Sequence, residues 1–331
     1  MTSGSAELLL ETEEAVGSVE VIPDEIVARS PRALFWRRFR ADHVAVVSAT
    51  FILFLIVVAI FAPLVVNVLG LSGPYVQNPS ALNIFGSPTG PSAAHPMGVD
   101  QLGRDIMSRI IYGTRVSLTV GIVSTVIAGV LGTALGLAAG YYRGAVDTLV
   151  SRFVDVMLAY PVLVLGLGIG AACGVRGCLN VGGHMLIQPG MTTVIFIIVL
   201  ADFTYIARIV RGQVLSLREK EFVEAARSLG ASSNRIVYRE ILPNLLAPII
   251  VYSTLLIPLN ILFEAALSFL GVGIRPPTAS WGQMIGDAQN YIQTAWWYMV
   301  FPGAVLLLTV LAFNLVGDGL LDALNPRGNR R

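Results

Sequence analysis

Residues 44–66 read VAVVSATFILFLIVVAIFAPLVV, 23 positions without an Asp, Glu, Lys or Arg. A hydrocarbon core of about 30 Å takes about 20 apolar residues as helix, and a helix satisfies its own backbone polar groups in lipid. The same test finds Val116–Tyr142, Val156–Val175, Ile241–Phe263 and Ala288–Gly317. A sixth interval, about Met191–Val210, is interrupted by Asp202 and Arg208 and preceded by Gly182, Gly183, Pro189 and Gly190. The chain thus reads as an all-α polytopic membrane protein with six transmembrane helices. Composition agrees: 331 residues are 55% hydrophobic and 13% charged, about half the charge of a soluble domain. The 22 basic and 21 acidic side chains nearly cancel, so no net field points to nucleic acid. Two cysteines are too few for a disulfide scaffold or a four-thiolate zinc site.

Six spans put both termini on one side, and the basic residues test that arrangement independently of hydropathy. Arg29, Arg32, Arg37, Arg38 and Arg40 precede the first span, and Arg143 and Arg152 lie between the second and third. Arg208, Arg211, Arg218, Lys220, Arg227, Arg235 and Arg239 crowd the stretch before the fifth, and Arg327, Arg330 and Arg331 end the chain. These are 17 of the 22, the rest being Arg104, Arg109, Arg115, Arg176 and Arg275. The bias predicts cytoplasmic N and C termini in a multi-pass protein of the cytoplasmic (inner) membrane. Without the interrupted span, seven basic residues of one loop would lie outside, so the distribution supports that span.

Four regions follow. Residues 1–29 form an acidic tail (Glu7, Glu11, Glu13, Glu14, Glu20, Asp24, Glu25), read as disordered and cytoplasmic. Residues 30–66 hold the first span and, before it, Arg32-Ala-Leu-Phe-Trp-Arg-Arg-Phe-Arg40, which suits an interfacial helix or a positive-inside anchor. Residues 67–115 are an external, Pro- and Gly-rich loop with a short helix at Leu102–Tyr112. Residues 116–331 are the core. In it Ala128, Gly132, Gly136 and Gly140, then Gly166, Gly170 and Gly174, repeat at i+4 and predict close helix packing. Pro243, Pro248 and Pro258 predict kinks in the fifth span.

The 211–243 loop is the longest on the basic side. Residues 219–229 carry helix formers with an apolar stripe at Phe222, Val223, Ala226 and Leu229. Gly230 stands where a helix ends, and Ser232 or Ser233 can cap a second helix. The small Ala225-Ala226 face suits a groove on another protein.

Glu224-Ala225-Ala226, Gly230 and Ile241-Leu242-Pro243 resemble the EAA loop of binding-protein-dependent ABC importer permeases. Within that group the chain is similar to the second permease subunit of the dipeptide/oligopeptide class, which has nickel relatives. The stretches 97–105 (MGVDQLGRD), 264–271 (EAALSFLG) and 314–319 (NLVGDG) agree, as do Ser30-Pro31 with 36–40 (WRRFR) and Pro276-Pro277 with Trp281-Gly282, so that the likeness covers about residues 30–327. Glu240 stands where the family often has an apolar residue, Asp202 belongs to no matched motif, and the acidic tail lies outside the likeness.

The resemblance implies the type I importer permease fold and a heterodimer with a homologous permease. It also implies two ABC ATPase subunits or one fused ATPase, and an external solute-binding protein. The cargo it implies is di- or oligopeptides, with nickel or another small solute as the alternative. ATP and Mg would sit on the ATPases, with no cofactor on this chain, which has no G-x-x-x-x-G-K-[ST] motif and a single lysine, Lys220. Glu224, Ala225, Ala226, Gly230, Leu242 and Pro243 would then form the ATPase-coupling site, moving as a rigid unit when the ATPases close. Residues 67–115 and 271–295 would receive the binding protein.

Other residues are read individually. Asp202 is an intramembrane carboxylate and a translocation-path candidate with Asn260 and Glu264, or else a structural acceptor. Cys173 and Cys178, near His184, read first as an external disulfide, then as free thiols, then as a metal site short of ligands. Trp281, Trp296, Trp297, Tyr291 and Tyr298 read first as an interfacial aromatic belt. His43 and His95 look isolated. A secondary transporter or channel would need several coupled intramembrane charges or an inverted repeat, and a membrane enzyme a catalytic constellation; neither pattern is found.

Overall fold

The computed structural model describes residues 31–182 and 184–324; the acidic tail and Arg327, Arg330 and Arg331 lie outside the described residues. Helix α1 (Pro31–Ala41) ends at Asp42, whose carboxylate caps α2 (His43–Ile60) by accepting from Val44 N at 3.0 Å and Ala45 N at 3.1 Å. In α1 the Arg40 guanidinium lies 5.7 Å from the Trp36 ring centre. The first apolar interval breaks at Phe61 before Pro63, giving a second short helix, α3 (Ala62–Val68).

Helix α4 (Ile106–Tyr142) begins ten residues before the expected second span, and no separate helix covers Leu102–Tyr112. Asp105 caps it by accepting from Ser108 N at 2.8 Å. Arg109 and Arg115 break the apolar run without breaking the helix, because both side chains find protein partners. With 37 residues it is about 55 Å long, well beyond a bilayer core, and its first turns stand outside.

The third span is not one rod. Helices α5 (Gly144–Ala159) and α6 (Val162–Cys173) meet at an 86° bend. Pro161 drives Tyr160 into extended backbone (ψ 136°) and removes an amide from the ladder. A disulfide joins Cys173 to Cys178. An antiparallel hairpin, β1 (Cys178–Val181) with β2 (His184–Ile187), follows and departs from a purely helical chain. Helix α7 (Met191–Leu217) contains the interrupted sixth interval. Next come α8 (Glu221–Ser228), a π-helical stretch at Ile236–Ile241 and α9 (Leu242–Phe269). Helices α10 (Trp281–Ala288) and α11 (Trp296–Leu324) complete the described chain. Pro248 and Pro258 lie inside α9 without ending it.

Contacts order these helices. A Cβ placed on Gly132, Gly136 or Gly140 would come within 2.7 Å of the Cβ of Ile206, Val210 or Val214 respectively. The small face of α4 therefore lies directly on α7, and the two run parallel. The chain must cross the bilayer between them, and among the described residues the bent α5–α6 pair is the only segment there apolar enough to do so. Ser117, Gly121 and Thr125 of α4 meet Glu264, Ile261 and Asn260 of α9 in reverse order, so that pair is antiparallel. Gly319 near the end of α11 meets Ala45 at the start of α2, and Arg115 bonds the last carbonyls of α2. Six crossings result, with both ends of the described chain on the side of the basic loop. Trp281 and Tyr298 are fully buried rather than interfacial. Trp281 Nε1 donates to the Ile110 carbonyl at 3.3 Å and the Tyr298 hydroxyl to Gln101 Oε1 at 2.7 Å. The aromatic-belt reading fails for these two, which are core residues of the external end.

Candidate functional site

Helix α8 is short, and its charges suit its dipole: Glu221 and Glu224 lie in the first turn and Arg227 in the last. It ends in a Schellman closure. Ala231 N donates to Ala226 O and Gly230 N to Arg227 O, both at 3.0 Å, with Gly230 at φ +79°. The glycine is required by conformation alone, since an added Cβ would meet no atom within 4 Å.

The expected apolar stripe divides. Val223 is fully buried and Ala226 half-buried, while Phe222, Glu224 and Ala225 are exposed and Leu229 is 89% exposed. Ala225 and Ala226 therefore do not share one free face: Ala226 turns inward and Ala225 outward. Val223 sits in a single apolar cluster with Phe203, Val210 and Val214 of α7, Leu137 and Tyr141 of α4, and Ile236, Ile241 and Leu245. Leu242 packs on the edge of that cluster, and Pro243 is exposed. The loop helix is thus an outward extension of the bundle core, and a push on its outer face reaches α4, α7 and α9 through packed side chains. Several of the loop's cations are already paired. Arg211 holds Asp147 through two bonds, one at 2.9 Å, Arg208 pairs with Asp155, and Arg218 donates to the Tyr141 carbonyl.

Within the bundle, Asp202 of α7 is buried and its Oδ2 has no partner among the described residues. On α9 the Asn260 amide donates to Thr125 Oγ1 of α4 at 2.9 Å. Glu264, fully buried one turn further along α9, is engaged separately, accepting from Ser117 Oγ at 3.0 Å and Ser268 Oγ at 2.8 Å. The three candidates therefore do not form one hydrogen-bonded chain: Asn260 is engaged with Thr125, Glu264 sits in its own hydroxyl cluster, and Asp202 Oδ2 has no partner among the described residues.

The external end holds a cluster that residue spacing did not reveal. Asp100, Arg104, Asp105 and Arg109 are all buried. Asp100 accepts from Arg104 Nε at 2.6 Å and from the Leu102 and Arg104 amides at 2.9 and 3.0 Å; Arg109 Nε lies 3.4 Å away. Arg109 donates to the Pro74 carbonyl at 3.1 Å and to Gln283 Oε1 at 3.3 Å, and Gln283 donates to Asp287 at 3.0 Å. Burial pushes the Asp287 carboxyl up, helped by Asp100 and opposed by Arg109 and Arg104. His95 is not isolated, its Nδ1 lying 2.9 Å from Asp105 Oδ2. The available signal is Arg109 itself, a charge flanked by Ile106, Ile110 and Ile111 in a helical stretch, which in the sequence serves only as a topological marker.

Residues 132–330 match the family described as binding-protein-dependent transport system inner membrane component, and residues 30–85 match the N-terminal transmembrane domain of oligopeptide transport permease C. A glutathione transport system permease protein of Pectobacterium atrosepticum is 40% identical over 94% of this chain and 96% of its own. A dipeptide transport system permease protein of Alkalihalophilus pseudofirmus is 41% identical over 92% of each. Among solved structures, an inward-facing methionine ABC transporter aligns with 66% of this chain and 98% of its own at TM-score 0.53; at 22% identity, this likeness concerns the fold alone.

Proposed function

The chain belongs to the family of binding-protein-dependent transport system inner membrane components, and on that premise we propose that it is one of two permease subunits of an ATP-driven importer of di- or oligopeptides. The relatives are named for dipeptide and glutathione transport, which favours peptides over nickel. A homologous permease would complete the pore, an external solute-binding protein would deliver cargo, and ATPase subunits on the basic side would bind and hydrolyse ATP. The secondary-transporter reading is set aside by the family.

The observation that carries the mechanism is the division of α8. Its outer face presents Glu224, Ala225 and Leu229, while Val223 is locked into the cluster shared by α4, α7 and α9. An ATPase groove seated on that face would move the cluster as one body, and interfaces packed this tightly switch between discrete arrangements. With Gly230 fixing the exit, the helix is aimed by its own closure and Arg143, through Glu219, braces its approach. The test is uptake of a labelled dipeptide or tripeptide into vesicles holding both permeases and the ATPases, with binding protein outside. ATP-dependent accumulation is expected, and hydrolysis without accumulation of any peptide would contradict the reading.

A further inference from the structure

A cavity of about 620 Å³ opens between the outer part of α4, the start of α7 and the 274–278 turn after α9, at the end of the bundle away from the basic loop. Small-molecule sites occupy about 300–1,000 Å³. Arg115 and Arg275 line it with Thr119, Gln188, Thr192 and Thr278, and no carboxylate is among its lining residues. Arg115 commits Nε to the Ala59 carbonyl at 2.8 Å and Nη2 to the Ile60 carbonyl at 2.9 Å, which leaves its Nη1 donors uncommitted to those bonds. Arg275 is half-buried, with no hydrogen-bond, ion-pair or ring partner among the described residues. Its guanidinium runs beside Gly174, where an added Cβ would lie 3.4 Å from Nη2.

Elsewhere at this end the chain neutralises its buried cations: Arg104 and Arg109 both face Asp100. The cavity is different, since the half-buried Arg275 and the exposed Arg115 line one concave space that has no carboxylate among its lining residues, so an anion that enters would meet two guanidiniums. Helix α7 begins on the same wall at Gly190 with no side-chain cap, adding the positive end of a helix dipole.

We propose that this cavity receives the terminal carboxylate of the peptide on its way into the pore, with Arg275 as the specificity-determining contact and Arg115 fixing the opposite wall. This rests on the peptide-importer reading above. Every unmodified peptide carries that carboxylate whatever its side chains, so a site reading only this group accepts many sequences. Guanidinium suits the task because it meets a carboxylate through two parallel hydrogen bonds. An anionic lipid headgroup offers the same chemistry and is separated by the test.

The test uses the complete importer in vesicles, comparing uptake of trialanine with that of trialanine amide for the wild type, Arg275→Gln and Arg275→Lys. The same binding protein serves all three, so its own preference cancels between wild type and variant. Vesicles are prepared with and without phosphatidylglycerol. Arg275→Gln is expected to lower uptake of the free acid about tenfold, the weight of one charge-assisted hydrogen bond, in both lipid compositions and without lowering uptake of the amide. Arg275→Lys is expected to restore part of the loss. Unchanged uptake of the acid, an equal fall for acid and amide, or a fall confined to vesicles with phosphatidylglycerol would each overturn the assignment. Failure of the wild type to take up trialanine would instead overturn the peptide reading, and the site with it.

Discussion

The Ala231 amide donates to the Ala226 carbonyl at 3.0 Å, reaching back over Gly230 to close α8 and set the direction in which the chain leaves it. At φ +79°, only strain opposes a side chain at Gly230, because the space around it is open. Gly230→Val is therefore expected to cost on the order of 1 kcal/mol or more locally and to misaim α8. Retained ATPase co-purification together with full substrate-stimulated hydrolysis in that variant would show that the closure does not matter.

Val223 is fully buried beneath α8. Val223→Ala should destabilise the chain by about 2 kcal/mol and loosen the joint between loop and bundle. Hydrolysis and uptake, measured together, should diverge, with more ATP spent per peptide moved. A variant with wild-type stoichiometry would mean that force does not pass through this side chain.

Gly136 faces rigid neighbours, the Ala207 carbonyl and Val210 Cβ, each 2.7 Å from where a side-chain Cβ would stand. Gly136→Leu should force α4 from α7 and abolish recovery of folded protein from membranes. Gly212→Ala, at an exposed position inside α7 with nothing within 4 Å, should keep the fold and raise stability by up to about 1 kcal/mol. Equal yields for the two would argue against the close packing of this helix pair.

Asp287 has a carboxyl pushed up by burial beside Gln283 and Arg109. A raised folded-state pKa gives stability that is full below the unfolded value of about 3.9 and is lost as pH rises through the folded one. Asp287→Asn should remove that loss, so its advantage in melting temperature over the wild type should grow from about pH 4 upward. A difference independent of pH would contradict this account of Asp287.

The spans, the topology and the helix of the 211–243 loop with its Gly230 stop were legible because each depends on local pattern. Uncharged intervals mark helices in lipid, Arg and Lys mark one side, and a glycine after an amphipathic turn marks its end. The small face on α4 also proved readable, since only Gly allows the backbone approach seen at Gly132, Gly136 and Gly140. What escaped depends on distant partners. Nothing near Arg109 in the sequence announces Gln283 or Pro74, and Trp281 looks like any interfacial aromatic until the Ile110 carbonyl is placed against its indole. The bend at Tyr160 was hidden by unbroken hydropathy, although Pro161 carried the signal. Asp202 and Glu264 look equivalent as intramembrane acids, yet Glu264 accepts from Ser117 of α4 and from Ser268 one turn along its own helix, while Asp202 Oδ2 has no partner among the described residues.

The central claim is that ATPase subunits cover the outer face of α8, and Ala225 reports on it directly. The only two cysteines are joined in a disulfide, so Ala225→Cys introduces the sole free thiol of this chain, at an exposed position. Its rate of maleimide labelling is to be measured in the paired permeases alone and in the full complex with ATPases. Rapid labelling in the first and strong protection in the second is the expected result. Equal rates in both would mean that the motor docks elsewhere.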